Sequence, residues 1–100
     1  MDIYSALADP TRRQIVEMLA INGKLSASDI STQFTVSAPA ISQHLKVLRE
    51  AKVLDMEKRA QQRIYTINTQ SISDIEHWIV TLRQQMDERY NRLEALLKKQ

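Results

Sequence analysis

The side chains best suited to binding chemistry in this sequence are polar and cationic ones between Val36 and Arg49. On a helix with about 100° per residue, this stretch divides into an apolar and a polar face. The apolar face comprises Ile41, Leu45 and Leu48, with His44 at its margin. The opposite face and its flank comprise Pro39, Ser42, Gln43, Lys46 and Arg49. Because Ser and Gln can bond base edges and Lys and Arg can reach bases or phosphates, the polar face has the chemistry of DNA binding.

The start of this helix, which we call the reading helix, is marked by a favourable capping residue. Ser37 predicts an N-cap, since its hydroxyl can accept from an unpaired N–H of the first turn. Pro39 is tolerated there because those N–H groups have no partner within the helix. The small residues Ala38 and Pro39 would let the backbone approach a groove closely. An ordinary amphipathic surface helix would fit the same pattern, so the flanking elements have to decide between the two.

A short helix followed by a tight turn precedes the reading helix. Ser26 predicts a cap for a helix over Ala27–Gln33, which would bury Ile30 and Phe34. Thr35 and Val36 then turn the chain into Ser37. A short helix, a turn and a second capped helix form a helix-turn-helix arrangement.

Two predicted strands follow the reading helix, over Val53–Lys58 and Arg63–Ile67. They are joined by the polar link Arg59–Gln62, which has the length of a hairpin connection. Between residues 36 and 67 six Lys and Arg oppose three acids, whereas residues 69–100 carry five of each. The excess of cations favours a wing in which Arg59 and Arg63 meet phosphates, and a merely solvated hairpin is the alternative.

The N-terminal third contains two predicted helices. Asp9 and Pro10 are a start signal for a helix that ends near Asn22 at Gly23, with Ile15, Val16 and Leu19 facing inward. Before it, Met1–Ala8 predicts a short helix that docks on another element. We expect Arg12 and Arg13 to form a solvated or salt-bridged face rather than a DNA contact.

The C-terminal third predicts one long helix, opened by Ser71 or Ser73 and ending near Lys98. It carries a heptad pattern at Ile72, Ile75, Ile79, Leu82, Met86, Leu93 and Leu96, which Arg89 interrupts. This apolar length exceeds what so small a domain can bury, so we expect a dimer, with folding back onto its own domain as the alternative. The predicted dimer interface comprises Ile3, Tyr4, Ile75, Trp78, Ile79, Leu82, Met86 and Leu93.

Length and composition set the remaining limits. One hundred residues predict a single domain over 1–100, within which about 70–98 form the dimerisation helix. Cysteine is absent, which excludes disulfides and thiolate metal sites. No apolar run of membrane-spanning length or secretory signal occurs, so we expect a cytoplasmic protein with no membrane partner. No phosphate loop, carboxylate pair or nucleophile–base set indicates an enzyme, and we expect no cofactor.

The combined motifs ALADPTRRQIVEML, SAPAISQHLKVLREAKVL and QQRIYTI resemble the ArsR-type winged helix-turn-helix repressors. The likeness is greatest to a cysteine-less branch with a Trp, here Trp78, near the start of the last helix. It implies a mainly α fold of order α-α-α-α-β-β-α with a two-stranded β wing, dimeric through its terminal helices. It also implies that DNA is read by Ser37, Ala38, Pro39, Ser42, Gln43 and Lys46.

Three residues depart from that family pattern, since Thr35, Lys52 and Ala60 stand where relatives often have glycine. Lys52 would then adopt a left-handed conformation, or the reading helix would end differently, and Ala60 puts the wing geometry in question. Relatives that sense metals use Cys clusters or sets of Asp and His. The acids and His77 of the last helix are better explained as a solvated face and interfacial packing, so we predict no metal site.

The function predicted from the sequence is a sequence-specific dimeric transcriptional regulator, a repressor on a pseudo-palindromic operator. Its partners would be double-stranded DNA and a second copy of the chain, and no effector can be named. The alternative is a winged-helix module that binds another protein through the heptad helix. The predicted DNA-binding residues are Ser37, Ala38, Pro39, Ser42, Gln43, Lys46, Arg49, Arg59 and Arg63.

Overall fold

The computed structural model describes residues 1–99, which fold into five helices and three strands. In chain order these are α1 Ile3–Ala6, α2 Pro10–Asn22, β1 Lys24–Ser26, α3 Ala27–Ser31, α4 Ala38–Glu50, β2 Leu54–Arg59, β3 Gln62–Ile67 and α5 Thr69–Lys98. The reading helix is α4. The predicted mainly helical protein with a β wing is therefore confirmed, although α3 ends two residues before the predicted Gln33.

Helix starts follow the caps that the sequence indicates. The Asp9 carboxylate accepts from the Arg12 backbone N–H at 3.0 Å, and the Ser26 hydroxyl accepts from that of Asp29 at 3.1 Å. The Ser37 hydroxyl accepts from the backbone N–H of Ala40 at 3.3 Å, so it caps the reading helix as predicted. These caps satisfy N–H groups that have no partner within the helix.

The predicted start of α5 at Ser71 or Ser73 is wrong, because Asn68 is the N-cap. Its backbone N–H donates to the carbonyl of Val53 at 2.9 Å, which holds Asn68 beside the start of β2. Its side-chain oxygen then accepts from the backbone N–H of Ser71 at 3.1 Å. Ser71 itself is buried, and its hydroxyl donates to the carbonyl of Lys52.

The sheet has three antiparallel strands in the order β1-β3-β2, one more than the predicted two-stranded wing. The additional strand, β1, pairs Lys24 with Thr66 and Ser26 with Ile64. Three residues carry no alternation that a sequence pattern can detect, and their pairing partners lie about forty residues away. The sequence therefore had no local signal for β1.

The core lies between α2, α3, α4 and the inner face of the sheet. Its buried apolar residues are Ala6, Ile15, Leu19, Ile30, Ile41, Leu45, Leu48, Ala51, Val53, Leu54 and Tyr65. Phe34 and Val16, which were predicted to face inward, are partly buried against this cluster. The three buried side chains of the reading helix are those of its predicted apolar face, so its orientation is set by burial.

Helix α5 projects from this core. The radius of gyration is 19.1 Å, against about 13 Å for a compact chain of this length, and the longest dimension is 70 Å. The helix therefore does not fold back onto its own domain. Near its start, the ring of Trp78 lies 5.3 Å from that of Tyr4 in α1. No helix within residues 1–99 combines the length and apolarity that crossing a membrane requires.

Candidate nucleic-acid interface

The reading helix presents its polar side chains to solvent. Ser42, Gln43 and Lys46 are exposed, and Arg49 is partly buried at the flank. At its start Ser37, Ala38 and Pro39 are exposed as well. All six residues that were predicted to read DNA therefore lie on one accessible surface.

The far end of the reading helix is locked by a left-handed residue, Lys52, at φ 65°. The backbone N–H of Val53 donates to the carbonyl of Leu48 at 2.9 Å, and that of Lys52 to the carbonyl of Arg49 at 3.0 Å. These two bonds form a Schellman motif, in which Leu48 and Val53, the residues joined by the longer-range bond, are both buried. Of the two alternatives for Lys52, the left-handed conformation is the one observed. The motif directs the chain from the reading helix towards β2.

A cleft of about 530 Å³ separates the reading helix from the β2–β3 hairpin. Its lining includes Gln43, Lys46 and Arg49 from the helix and Arg63 from β3. Helix and hairpin therefore contribute cations to the same concave surface. Two elements that line one positively charged cleft can contact a phosphate backbone at the same time. A recognition helix in the major groove and its wing bind DNA in this way.

The hairpin separates the two arginines that were predicted to act together. Arg63 shares its face with buried Tyr65, because alternate residues of a strand point the same way, and that face turns towards the reading helix. Arg59 lies on the other face, where its Nε is 3.3 Å from a carboxylate oxygen of Glu57. The structure thus brings Arg63, but not Arg59, to the cleft.

Lys58 is a cation on the reading-helix side that the sequence reasoning missed. It is paired in register with Arg63, so the two side chains emerge on the same face of the hairpin. Alternation along the strand, in phase with Met56, was the signal that could have found it. Within residues 1–99, Lys46, Arg49, Lys58 and Arg63 have no acidic partner within 4.0 Å, which leaves these cations available to an anion.

Of the two arginines that were predicted to form a solvated or salt-bridged face, Arg13 is exposed, whereas Arg12 is partly buried. The Arg12 Nε donates to the carbonyl of Ala6 at 2.6 Å, and Arg13 donates to the carbonyls of Leu7 and Ala8 at 2.8 and 3.0 Å. These carbonyls end α1 and have no partner within it, so the guanidinium groups satisfy them. The hydrogen bonds of both arginines hold the end of α1 against α2.

Arg12 and Asp9 at the start of α2 also lie close to His44 of the reading helix. One terminal nitrogen of Arg12 lies 3.3 Å from His44 Nδ1, and Asp9 Oδ2 lies 4.0 Å from that nitrogen. The hydrogen bond from the backbone N–H of Arg12 lowers the pKa of Asp9, and the positive charge of the Arg12 side chain contributes in the same direction. Asp9 is thereby held as a carboxylate at the start of α2.

The residues predicted to form a dimer interface lie along one side of α1 and α5. Ile3 and Ile75 are partly buried within the chain. The exposed members are Tyr4, Trp78, Ile79, Leu82, Met86 and Leu93. The structure therefore leaves an apolar stripe uncovered along α5, in agreement with the heptad pattern.

No group of three His, Asp or Glu side chains in residues 1–99 has the proximity needed to hold a metal ion. The acids and His77 of α5 are exposed along the helix. The prediction that the protein lacks a metal site remains a prediction, to be tested in solution.

Comparison with known proteins identifies relatives of this fold and surface. Residues 9–55 match the family described as "Bacterial regulatory protein, arsR family". The chain is 35% identical over 79 residues to the transcriptional repressor SdpR of Bacillus subtilis strain 168, and the match covers 79% of this chain and 87% of SdpR.

Solved structures of transcriptional regulators share this fold. The crystal structure of a possible transcriptional regulator for arsenical resistance is 30% identical, with a TM-score of 0.75, over 82% of this chain and 84% of that one. The crystal structure of an ArsR family transcriptional regulator is 25% identical, with a TM-score of 0.78, over 85% and 87% of the two chains. The likeness therefore includes most of the chain and not the helix-turn-helix alone.

Proposed function

Because the chain belongs to the arsR family of bacterial regulatory proteins and is a DNA-binding transcriptional regulator, we propose that it acts as a dimeric repressor. Each protomer places its reading helix in a major groove of a pseudo-palindromic operator, and the two helices lie about 34 Å apart. The repressor activity is supported by the similarity to SdpR, which is named a transcriptional repressor. Repression would follow from occupation of the operator.

The observation that carries this proposal is the cleft between the reading helix and the hairpin. Gln43 and Ser42 supply hydrogen-bonding groups on its helical side, and Lys46, Arg49 and Arg63 supply charge. We assign base reading to Ser42, Gln43 and Lys46, with Ser37, Ala38 and Pro39 allowing close approach of the helix start. Arg49 and Arg63 contact phosphates, and Lys58 joins them from the opposite strand. Arg59 contacts phosphate from the tip of the hairpin.

Dimerisation is proposed to occur through α5 with help from α1. The stripe that begins at Trp78 and continues to Leu93 is exposed in the single chain. Burying it against a symmetry-related copy removes this apolar surface from water and fixes the distance between the two reading helices. The alternative of a module that binds a different protein is not favoured, because the relatives are named transcriptional regulators.

Selection of bound sequences from random duplex DNA tests the proposal. We expect enrichment of an inverted repeat whose half-sites are separated by about one helical turn, as two symmetry-related reading helices require. Enrichment of a single half-site without a repeat would contradict the dimeric arrangement. Failure to enrich any sequence would contradict specific recognition by the reading helix.

A further inference from the structure

The Arg12 guanidinium occupies a position that connects the predicted dimer face to the reading helix. Its Nε donates to the carbonyl of Ala6 and one terminal nitrogen to the carbonyl of Ser5 at 3.4 Å, both in α1. Its other terminal nitrogen lies 3.3 Å from Nδ1 of His44 in the reading helix. One partly buried side chain thus bonds two elements that are more than thirty residues apart in the sequence.

The direction of the Arg12–His44 bond follows from the chemistry of its partners. A guanidinium group only donates hydrogen bonds and stays protonated, so Nδ1 of His44 must accept. With Nδ1 accepting this bond, the ring proton of His44 lies on Nε2. His44 directly follows Gln43 in the reading helix, so a shift of the helix backbone at His44 also moves a residue proposed to read bases.

At the other end, α1 is held against α5 by an aromatic pair. Tyr4 lies one residue before Ser5, and its ring centroid is 5.3 Å from that of Trp78. Trp78 is half exposed on the stripe of α5 that we assign to the dimer interface. A continuous series of contacts therefore runs from Trp78 through Tyr4 and Arg12 to His44.

We propose that Arg12 and His44 are positioning residues that couple the state of the Tyr4–Trp78 face to the DNA affinity of the reading helix. Anything that changes how α1 sits on α5 then changes operator binding, and operator binding changes the surroundings of Trp78, since such coupling is reciprocal. This inference rests on the proposed function in that it requires the reading helix to bind operator DNA. It adds a route by which the dimer face regulates that binding.

The chain offers a matched control in Arg13. It satisfies the carbonyls of Leu7 and Ala8 at the end of α1 as Arg12 satisfies those of Ser5 and Ala6. No bond joins Arg13 to the reading helix within the part of the chain described. Arg13→Ala therefore removes a comparable restraint on α1 without breaking the connection to His44.

The first test is a double-mutant cycle on operator affinity. Tyr4→Ala and Arg12→Ala should each weaken operator binding about fivefold or more. The double variant should bind the operator as well as whichever single variant has the lower affinity. If the loss of affinity in the double variant equals the product of the two single losses, the two residues act independently, and the proposal would be overturned. His44→Ala leaves α1 intact and should reproduce Arg12→Ala, whereas His44→Asn should restore affinity by presenting an acceptor oxygen near the position of Nδ1.

The second test uses Trp78, the only tryptophan in the sequence, as a fluorescent reporter. At concentrations where sedimentation gives the same oligomeric state with and without DNA, saturating operator should shift its emission in the wild type and in Arg13→Ala. The shift should be lost in Arg12→Ala and His44→Ala although both are saturated with DNA. A wild-type shift that persists in these two variants, or no shift in the wild type, would overturn the coupling. A wild-type protein that binds no duplex at all would instead contradict the proposed function.

Discussion

Lys58 and Arg63 stand directly opposite each other on β2 and β3, on the face of the hairpin that turns towards the reading helix. Like charges at opposed positions of a sheet repel, and no carboxylate lies within ion-pair distance of either in residues 1–99. A phosphate that approached both cations would relieve the repulsion. This arrangement makes the hairpin better suited to holding DNA than to standing free in solvent.

The first prediction concerns these two cations. Arg63→Ala and Lys58→Ala should each weaken operator and scrambled duplex alike and reduce the slope of log affinity against log salt by about one, since each removes one phosphate contact. Lys24→Ala removes an exposed cation from the opposite face of the sheet and should leave the slope unchanged. Binding titrations at several salt concentrations measure these affinities and slopes. Unchanged slopes in both hairpin variants would exclude a DNA-contacting wing.

The second prediction concerns the dimer. Leu82 and Met86 are 37% and 64% exposed in the single chain, so replacing both with Glu should spare the fold but place charges in the interface. Sedimentation should then show a monomer that binds operator poorly. Gln84→Glu with Asn91→Glu adds the same charge on the outer side of the heptad pattern and should remain dimeric. A Leu82/Met86 double variant that stays dimeric would place the interface elsewhere.

The third prediction concerns metal ions. Operator affinity should be the same after addition of zinc and after treatment with a chelator, because the chain has no thiolate and residues 1–99 bring no complete set of ligands together. A reproducible tenfold change, about 1.4 kcal/mol, would overturn this expectation. Asp74, His77, Asp87 and Glu88 would then be the first residues to substitute.

The fourth prediction concerns the hairpin turn. Ala60 adopts φ 54° in the two-residue turn between β2 and β3, a conformation that suits glycine. Ala60→Gly should raise the free energy of unfolding by about 0.5–1 kcal/mol, the balance between relieved strain and the greater freedom of the unfolded chain. Ala20→Gly, in the ordinary helical backbone of α2, should instead lower it by about 1 kcal/mol. Denaturant unfolding compares the two, and a destabilised Ala60→Gly would show that this turn is not strained.

Local signals predicted most of the fold and of the candidate site. Ser37 capped the reading helix as expected because a cap involves only residues within three positions. The buried and exposed faces of that helix followed from its periodicity. The left-handed conformation of Lys52 was one of two alternatives suggested by a position where relatives often have glycine.

Long-range contacts account for what the sequence did not predict. Strand β1 exists only through its pairing with β3, and Asn68 replaced the predicted serines as the cap because it bonds to Val53 across the fold. Arg12 reaches His44 over 32 positions, and no periodicity encodes such a side-chain contact. The missed Lys58 differs, since strand alternation contained the necessary information.

Recognition of bases by the reading helix is tested most directly at Gln43. Gln43 is exposed on the polar face beside Lys46, and its amide both donates and accepts, so it can pair bidentately with adenine. A side chain that reads a base contributes to binding of the operator but hardly to binding of unrelated DNA. A phosphate contact contributes to both.

The decisive measurement is a titration of Gln43→Ala against the selected operator and a scrambled duplex of equal length. If Gln43 reads a base, the variant loses about 1–3 kcal/mol of binding free energy on the operator and little on the scrambled duplex. Equal losses on both duplexes would contradict base reading through this residue, and no loss on either would remove Gln43 from the interface.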